Sequence, residues 1–460
     1  MRNVRQWIAG ICAFSLLGQS VLGANAPVCG NANNRGPSPP PCPSSKCGDP
    51  PQSCPSGGSN PFNTATGNAY REITDLEVWG GVGEHQLEFT RYGMSRYNGS
   101  IKWFGQGHTW RHSYQWELVS DGANALKLYK PDGTHWRYTL SNGQWLGAES
   151  NPDRLSQSGN DWLVQTHDGY RYRFHKFTDA NGAIYYLLLD FTDTASNVYT
   201  LTYDASNRVI QVTEPAGRYL RIIYADIPVN QSQFTTLKTV ATKPASGTWT
   251  EVTINNPTAF RYLRYFSSNP GSTESYCNIA EMEFYDTAGN KLSGTPFGST
   301  PAQAPGSEYD KASDGNVNTF FDYKWPHFGF TGIDLGAGNE KVIGKIRFYP
   351  RAGNAGRMVA PGKEGYPDGC RFEGSNVEPI TETVISRVES SDGRFVTYNY
   401  TTIPDSILEH DWLALQSVQY GDGTAATYSY AMYWAGQPPL LAEANDPRYD
   451  GPSVHMKYTY

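Results

Sequence analysis

Residues 392–400, DGRFVTYNY, and residues 422–430, DGTAATYSY, are two copies of one pattern that decides the fold. Each copy begins with Asp-Gly, a typical tight-turn dipeptide, and places tyrosines six and eight positions after the aspartate. Residues two apart on a strand face the same side, so each copy puts two large rings on one face of a strand that follows a turn.

The same turn-strand pattern recurs at several other places in the chain. The other copies are Asp132-Gly133 with Tyr138 and Leu140, Asp168-Gly169 with Tyr172 and Phe174, Asn181-Gly182 with Leu187 and Leu189, and Ala216-Gly217 with Ile222 and Tyr224. One short hairpin cannot bury such a face alone, so successive hairpins must stack into an extended sheet. The sequence therefore predicts a mainly β protein with an antiparallel repeat-hairpin sheet, and an ordinary antiparallel sandwich is the alternative.

The composition agrees with strands and turns. The 460 residues include 31 Tyr and 47 Gly, with 13% aromatic and 18% charged residues, which argues against an all-helical protein. The net charge is -7 and no basic stripe is present, so we expect no nucleic acid partner.

The first residues indicate export. Arg2 and Arg5 precede an apolar run from Trp7 to Leu17, and Ala24-Asn25-Ala26 has small residues where a signal peptidase cuts. We expect residues 1–26 to be a signal peptide and the mature protein to be secreted or on the bacterial cell surface, without a membrane span. An uncleaved anchor is the alternative, although the run is shorter than the ~20 residues that cross a bilayer.

Four cysteines, Cys29, Cys42, Cys47 and Cys54, lie in the Pro/Gly-rich segment 27–60. In an oxidising compartment such an even cluster predicts two local disulfides, with three alternative pairings. Free or intermolecular thiols are the other interpretation. Cys277 and Cys370 are distant in sequence and either pair or are simply buried.

Part of the chain resembles a known family. Residues 60–63 (NPFN), 66–68 (TGN), 87–92 (LEFTRY) and 104–114 (FGQGHTWRHSY) are similar to the amino-terminal part of bacterial Rhs (YD-repeat) proteins, and residues 201–213 (LTYDASNRVIQVT), 385–400 and 415–430 resemble repeat units. The resemblance implies an Rhs-like β-repeat region over 61–235 that continues over 381–460. In full-length relatives such a sheet spirals into a hollow shell around a toxic domain.

The self-cleaving motif of that family is incomplete here. Asp446-Pro447-Arg448 lacks the glycines and the second acid that should follow, and the sequence ends mid-strand at Tyr460. We therefore expect neither a protease role nor a closed shell, and a toxin or shell partner is not identified.

The turn-strand rhythm stops between residues 236 and 380, which predicts an inserted domain. Residues 260–266 (FRYLRYF), 276–285 (YCNIAEMEFY), 312–320 (ASDGNVNTF), 332–336 (GIDLG), 343–351 (IGKIRFYPR) and 372–376 (FEGSN), with Met358, resemble discoidin (coagulation factor type C) modules. These galactose-binding-like β-sandwiches (jelly rolls) often bind sugars in bacteria. The motifs stand in a circularly permuted order, which sandwich domains tolerate because their termini lie close together.

The discoidin resemblance implies a calcium ion where the Asp-Gly-Asn loop meets the acidic strand. The implied ligands are the carboxylates of Asp314 and Glu281, the hydroxyl and carbonyl of Thr319, and the carbonyls of Lys311, Asn316 and Ala280. Hard oxygen donors in that number suit Ca²⁺. A plain Asp-Gly turn beside an exposed glutamate is the alternative.

Residues of the insert that lie on expected loops could form a sugar site. Rings stack on the apolar faces of sugars, and Arg or Asn side chains bind the hydroxyls. The candidates by residue type are Tyr323, Trp325, His327, Arg351, Asn354 and Arg357. Equally, Tyr323 and Trp325 could simply cap the sandwich.

No motif for a phosphate loop, a serine nucleophile or a zinc protease is present in the sequence, so we expect no enzyme. The sequence favours a secreted Rhs-like protein whose insert binds a surface glycan or another cell-surface protein. The alternatives are part of a toxin-delivery shell with a purely structural insert, and a polysaccharide-acting enzyme.

We predict that Cys29, Cys42, Cys47 and Cys54 are oxidised in the exported protein, because each local disulfide stabilises its loop by about 2 to 3 kcal/mol. Mass spectrometry of unreduced peptides, with alkylation before and after reduction, measures the thiols. Four alkylatable thiols before reduction would contradict the prediction.

Overall fold

The computed structural model describes residues 62–63, 68–94, 103–105, 109–147, 151–178, 184–267, 277–324, 329–359, 370–405, 408, 410–433, 435–447 and 456–457. The predicted signal peptide, segment 27–60 with its four cysteines, and the candidate residues Trp325 and His327 lie outside these residues. Within the described part of the chain, no helix is long and apolar enough to cross a membrane.

The Asp-Gly pairs form tight turns. Gly393 and Gly423 have φ angles of 88° and 86°, in the left-handed region that glycine adopts most readily. The amide of Gly423 donates to the carbonyl of Tyr420 at 3.1 Å, and Asp422 accepts the amide of Thr424 at 2.9 Å. The predicted mainly β, antiparallel fold is confirmed.

A small antiparallel sheet opens the described part of the chain. Its strands, in spatial order, are β1 (Phe62–Asn63), β2 (Asn68–Glu77), β3 (Glu88–Met94) and β4 (Thr109–His112). The register of β2 against β3 shifts between Thr74 and Leu76, which marks a β-bulge at Asp75. The bulge places both Asp75 and Leu76 on the buried side.

Most other strands outside the insert form long antiparallel ladders. Before the insert they are β5 (Glu117–Ser120), β6 (Ala125–Tyr129), β7 (His135–Ser141), β8 (Gln144–Gly147), β9 (Arg154–Ser158), β10 (Asp161–Gln165), β11 (Arg171–Thr178), β12 (Ile184–Thr192), β13 (Val198–Tyr203), β14 (Val209–Thr213) and β15 (Tyr219–Pro228). After it they are β27 (Thr381–Ser390), β28 (Phe395–Ile403), β29 (Trp412–Tyr420), β30 (Ala425–Ala431), β31 (Leu440–Asn445) and β32 (Met456–Lys457). Strands β5 to β8 pair in chain order, as do β9 to β15 and β27 to β32, and β5 also pairs with β12.

The ladder continues directly across the insert. Strand β15 pairs antiparallel with β27 from Leu220 opposite Ser390 to Pro228 opposite Thr381. Beyond the paired strands, the amide of Val229 donates to the carbonyl of Ile380 at 2.8 Å. The chain therefore leaves the ladder and returns to it at adjacent points.

Two large antiparallel sheets and one two-stranded sheet form the described part of the insert. Its strands are β16 (Thr235–Thr239), β17 (Thr250–Thr253), β18 (Ala259–Phe260), β19 (Tyr262–Phe266), β20 (Asn278–Ile279), β21 (Glu281–Asp286), β22 (Thr295–Gly298), β23 (Phe321–Asp322), β24 (Phe330–Asp334), β25 (Lys341–Tyr349) and β26 (Arg371–Ser375). One large sheet has the order β16-β26-β19-β24-β22, and in the other β17, β18 and β21 all pair with β25. Phe372 of the five-stranded sheet packs against Phe348 and Phe284 of the sheet around β25, with ring centroids 5.0 and 6.2 Å apart. This is the packing of a β-sandwich.

The described residues include three short 3₁₀ helices, one at the entry to the insert and two within it. They are η1 (Gln231–Gln233), η2 (Tyr309–Ser313) and η3 (Ala355–Met358).

Cys277 and Cys370 are free thiols, both buried in the core of this sandwich. Burial raises the pKa of both thiols, so they are protonated at neutral pH.

A buried ion pair lies between the first sheet and the ladder. Arg91 on β3 donates from Nε to Asp75 Oδ2 and from Nη2 to Asp75 Oδ1 at 3.0 Å, and both side chains have no solvent exposure. The hydroxyls of Tyr398 and Tyr420 donate to the same carboxylate at 2.7 and 3.0 Å. Tyr428 accepts from Arg91 Nη2 at 3.2 Å, so three successive strands, β28 to β30, supply partners to this pair.

We predict that Asp75→Asn lowers the free energy of unfolding by about 3 kcal/mol or more, because it leaves the Arg91 guanidinium buried without a countercharge. Asp392→Asn is the matched control, since Asp392 pairs with Arg394 at the surface, and it should cost less than about 1 kcal/mol. Urea unfolding of the two variants measures the difference. Equal losses would contradict a structural role for the buried pair.

Candidate ligand site of the inserted module

Glu281, the first residue of β21, reaches the loop that follows η2. Its Oε1 accepts the amide of Gly315 at 2.6 Å and the amide of Asn316 at 3.1 Å. The φ of Gly315 is 84°, so the loop makes its tight bend where a residue without a Cβ stands. The strand and the loop are thus joined through one carboxylate.

Asp314 and Thr319 close the same loop. Asp314 Oδ1 accepts the amide of Asn316 at 2.9 Å, and the Thr319 hydroxyl lies 2.9 Å from both Asp314 carboxylate oxygens. The Thr319 hydroxyl also lies 2.7 Å from the carbonyl of Asn316. The structure therefore brings together Glu281, Asp314, Asn316 and Thr319, four of the residues that the sequence analysis names as calcium ligands.

The Glu281 carboxylate is in an unfavourable environment for its charge. The residue is 1% exposed, and its Oε2 accepts no hydrogen bond from the described residues. Burial, reinforced by the neighbouring Asp314 carboxylate, raises the pKa of Glu281 to about 7. A cation beside Oε2 would relieve both effects.

The donor set fits calcium better than a transition metal. No group of three or more His, Cys, Asp or Glu side chains suited to a metal exists among the described residues, so an ion here would depend on oxygen donors beyond its two carboxylates. Ala280 directly precedes Glu281, and Lys311 lies in η2 shortly before Asp314, so their carbonyls belong to the same two segments. Hard oxygen donors of this kind suit Ca²⁺.

Two arginines converge on a buried carboxylate at the end of β23. Arg351 Nη1 donates to Asp322 Oδ2, and Arg357 Nη1 lies 3.8 Å from Asp322 Oδ1. Asp322 is 5% exposed, whereas each arginine side chain is 23% exposed. The two arginines therefore approach a buried carboxylate while their side chains remain partly accessible to solvent. The Arg351 guanidinium carbon also lies 3.8 Å from the centroid of the Phe320 ring.

Asn354 fixes the spacing of these two arginines. Its amide donates to the carbonyl of Arg351 at 3.0 Å, and the amide of Arg357 donates to the carbonyl of Asn354 at 2.9 Å, which builds the turn into η3. Three of the six residues named as sugar ligands therefore lie in one turn. Residues 314–322 run from the loop of Asp314 to Asp322, the carboxylate that both arginines approach.

Tyr323 is a correction to the sequence analysis. Its ring has no solvent exposure and belongs to the sandwich core, and its amide donates to the carbonyl of Cys277 at 2.9 Å. The ring is thus unable to stack on a sugar from solvent. The alternative that Tyr323 caps the sandwich describes it better.

Asp322 and Phe320 are candidate residues that sequence reasoning missed. Asp322 follows two phenylalanines and precedes Tyr323, and an acid inside such an aromatic run indicates a buried carboxylate with a basic partner. That signal could have pointed to Arg351.

A cavity also lies where the insert meets the ladder. It has a volume of about 490 Å³ and is lined by Arg208, Arg221 and Tyr224 of the ladder and by Thr300 of the insert. The Thr300 hydroxyl donates to Asp226 Oδ2 at 2.8 Å. This hydrogen bond joins the sandwich to β15.

Residues 59–138 of the chain are similar to a family described as a domain of unknown function (DUF6531). The matched segment contains β1 to β6 and β7 as far as Tyr138, and so includes both members of the Asp75–Arg91 pair. No curated protein matches the chain.

Proposed function

We propose that this is a secreted or cell-surface Rhs-like protein without catalytic activity, whose discoidin-like insert binds a surface glycan. The convergence of Arg351 and Arg357 on Asp322 carries the proposal. The antiparallel ladders and the sandwich insert are compatible with the Rhs and discoidin resemblances.

The arginine turn has the chemistry that sugar hydroxyls require. A guanidinium presents several N–H donors in a fixed plane, and in Arg351 the bond to Asp322 orients that plane toward a ligand. Phe320 lies beside Arg351 and is partly exposed, so an apolar ring adjoins the donors. Sugar sites combine these two features.

Calcium is the cofactor that we propose for the neighbouring loop. When bound, the ion would supply positive charge to the Glu281 and Asp314 carboxylates. Asp314 and Thr319 already fix the loop that leads into Phe320 and Asp322, so an ordered loop would hold both residues in place under the arginines. The ion would thereby stabilise the site without contacting the glycan.

We predict that excess calcium raises the Tm of the full chain relative to chelator, because a ligand of the native state stabilises it, by about 2.7 kcal/mol at a hundred times Kd. Glu281→Gln should abolish the rise, since it removes the buried charge with little change in shape. Differential scanning fluorimetry with calcium and with chelator measures the effect.

Glu283→Gln on the same strand is the control for this experiment. Glu283 pairs with Lys291 and Arg347, so its loss should leave the calcium response intact. A wild-type Tm that neither calcium nor chelator changes would end the calcium proposal.

We predict that the full chain binds terminal galactose-type oligosaccharides saturably and that Arg351→Lys weakens binding about tenfold, because lysine keeps the charge but loses the planar donors. Arg347→Lys is the matched control, since Arg347 lies on β25 and pairs with Glu251 and Glu283 instead. A glycan array followed by calorimetric titration gives the affinities.

The outcome also separates the glycan proposal from the structural alternative. Absence of saturable binding to any glycan would favour an insert with a purely structural role in a toxin-delivery shell. Release of reducing sugar from a bound polysaccharide would favour an enzyme.

A further inference from the structure

The cavity between the ladder and the insert has a volume of about 490 Å³, within the range of about 300–1,000 Å³ that small-molecule sites occupy. Residues of β13, β14 and β15 line it on the side of the ladder, and Thr300 and Pro301 line it on the side of the insert. Neither Arg351 nor Arg357 is among the described residues of its lining. The cavity is therefore separate from the arginine turn.

A row of polar side chains crosses the three strands of the ladder in this cavity. Thr202 lies opposite Gln211, and Gln211 lies opposite Arg221, in the antiparallel registers of β13, β14 and β15. Directly opposed side chains lie on one face of a sheet, and adjacent strands are about 4.8 Å apart. A hydroxyl, an amide and a guanidinium therefore follow one another over roughly 10 Å.

Arg221 is a cation of this cavity without an acidic partner. The residue is exposed, and its guanidinium carbon lies 5.3 Å from the centroid of the Tyr219 ring on the same strand. It forms no ion pair with any residue that the structure describes. The five N–H donors of its guanidinium thus have no carboxylate partner in the described part of the chain.

The acids around Arg221 are bound by other arginines. Asp204, which also lines the cavity, accepts from Arg208 Nε at 2.6 Å. Glu389, opposite Arg221 on β27, accepts from Arg387 Nε at 2.7 Å. These two ion pairs compensate their own charges and leave that of Arg221 to a ligand.

Asp226 lies toward the other end of the cavity. It stands five positions after Arg221 on β15, which corresponds to roughly 16 Å along an extended strand. Its two carboxylate oxygens accept the hydroxyls of Thr383 at 2.6 Å and of Thr300 at 2.8 Å. An anionic group of a ligand is therefore directed to the Arg221 end, away from this carboxylate.

Aliphatic side chains lie beside the polar row. The register shift between Thr202 and Tyr203 marks a β-bulge at Ile210, so Ile210 and Gln211 are consecutive half-buried residues that both line the cavity. Ile223 on β15 is half-buried and lines the cavity as well. Apolar C–H groups of a sugar ring can pack on these side chains while its hydroxyls bind the polar row.

We propose that this cavity binds a hexuronic acid residue of an acidic polysaccharide. Arg221 binds the carboxylate, Thr202 and Gln211 bind hydroxyls, and Ile210 and Ile223 pack on the apolar face of the ring. A guanidinium and a carboxylate form two parallel hydrogen bonds, which makes the carboxylate the matching anion. One unpaired cation among paired acids suits a single negative charge better than a phosphate dianion.

Calorimetric titration of the full chain with methyl β-D-glucuronoside tests the proposal. Its methyl ester is the neutral isostere, and acetate is a carboxylate without a sugar ring. The glucuronoside should bind saturably, and the ester and acetate should each bind about tenfold more weakly or worse, because one lacks the charge and the other lacks the ring. Arg221→Gln should weaken binding about tenfold, and Thr202→Val, which removes one hydroxyl at constant shape, about threefold.

Matched variants control for the loss of an arginine and for the arginine turn. Arg171→Gln removes another exposed arginine of the ladder and should leave glucuronoside binding unchanged. Arg351→Lys should also leave it unchanged, so the outcome for this cavity is separable from the outcome for the galactose-type site. Absence of saturable glucuronoside binding, equal binding of the ester or of acetate, or an unchanged affinity in Arg221→Gln would each overturn the proposal.

Discussion

The buried pair of Arg91 and Asp75 is the constraint on which the rest of the structure depends. Two charges without solvent exposure are costly unless hydrogen bonds satisfy them, and here tyrosine hydroxyls provide those bonds. The tyrosines come from strands more than 300 positions later in the chain. The ion pair is therefore satisfied only if the long ladder places the last strands beside the first sheet in one fixed register.

The insert respects this constraint because of where it leaves the ladder. Strand β15 pairs directly with β27, so the ladder that positions the tyrosines is continuous without the sandwich. The contacts that join the sandwich to the ladder are local, such as the bond from Thr300 to Asp226. Tyr398, which contacts the ion pair, and Tyr323, which follows Asp322, belong to different hydrophobic cores.

Turn dipeptides and strand periodicity predicted the strands, but they did not predict which distant residues cover each strand face. The Asp-Gly turns form as expected, and Tyr398 and Tyr428 lie on the buried face six residues after their turn aspartates. Tyr400, eight residues after its turn aspartate, is also buried, whereas Leu140 at the same position of another copy is 36% exposed. Whether a face is covered depends on a distant neighbour, which strand periodicity does not contain.

The candidate sites show the same division. The oxygen donors Glu281 and Asp314 were found from motifs, whereas the role of Asp322 depends on an arginine 29 positions away and was missed. The bulge at Asp75 was equally invisible, because one extra residue in a strand changes side-chain direction without a strong sequence signal.

The tyrosine partners of the first sheet also impose an order on biosynthesis. The chain is made from its amino terminus at about 5–20 residues per second, so Asp75 and Arg91 emerge roughly 15 to 70 s before Tyr398 and Tyr428. During that interval β2 and β3 lack the strands that carry the tyrosines. Water then has to provide the hydrogen bonds that the phenol hydroxyls make in the complete fold.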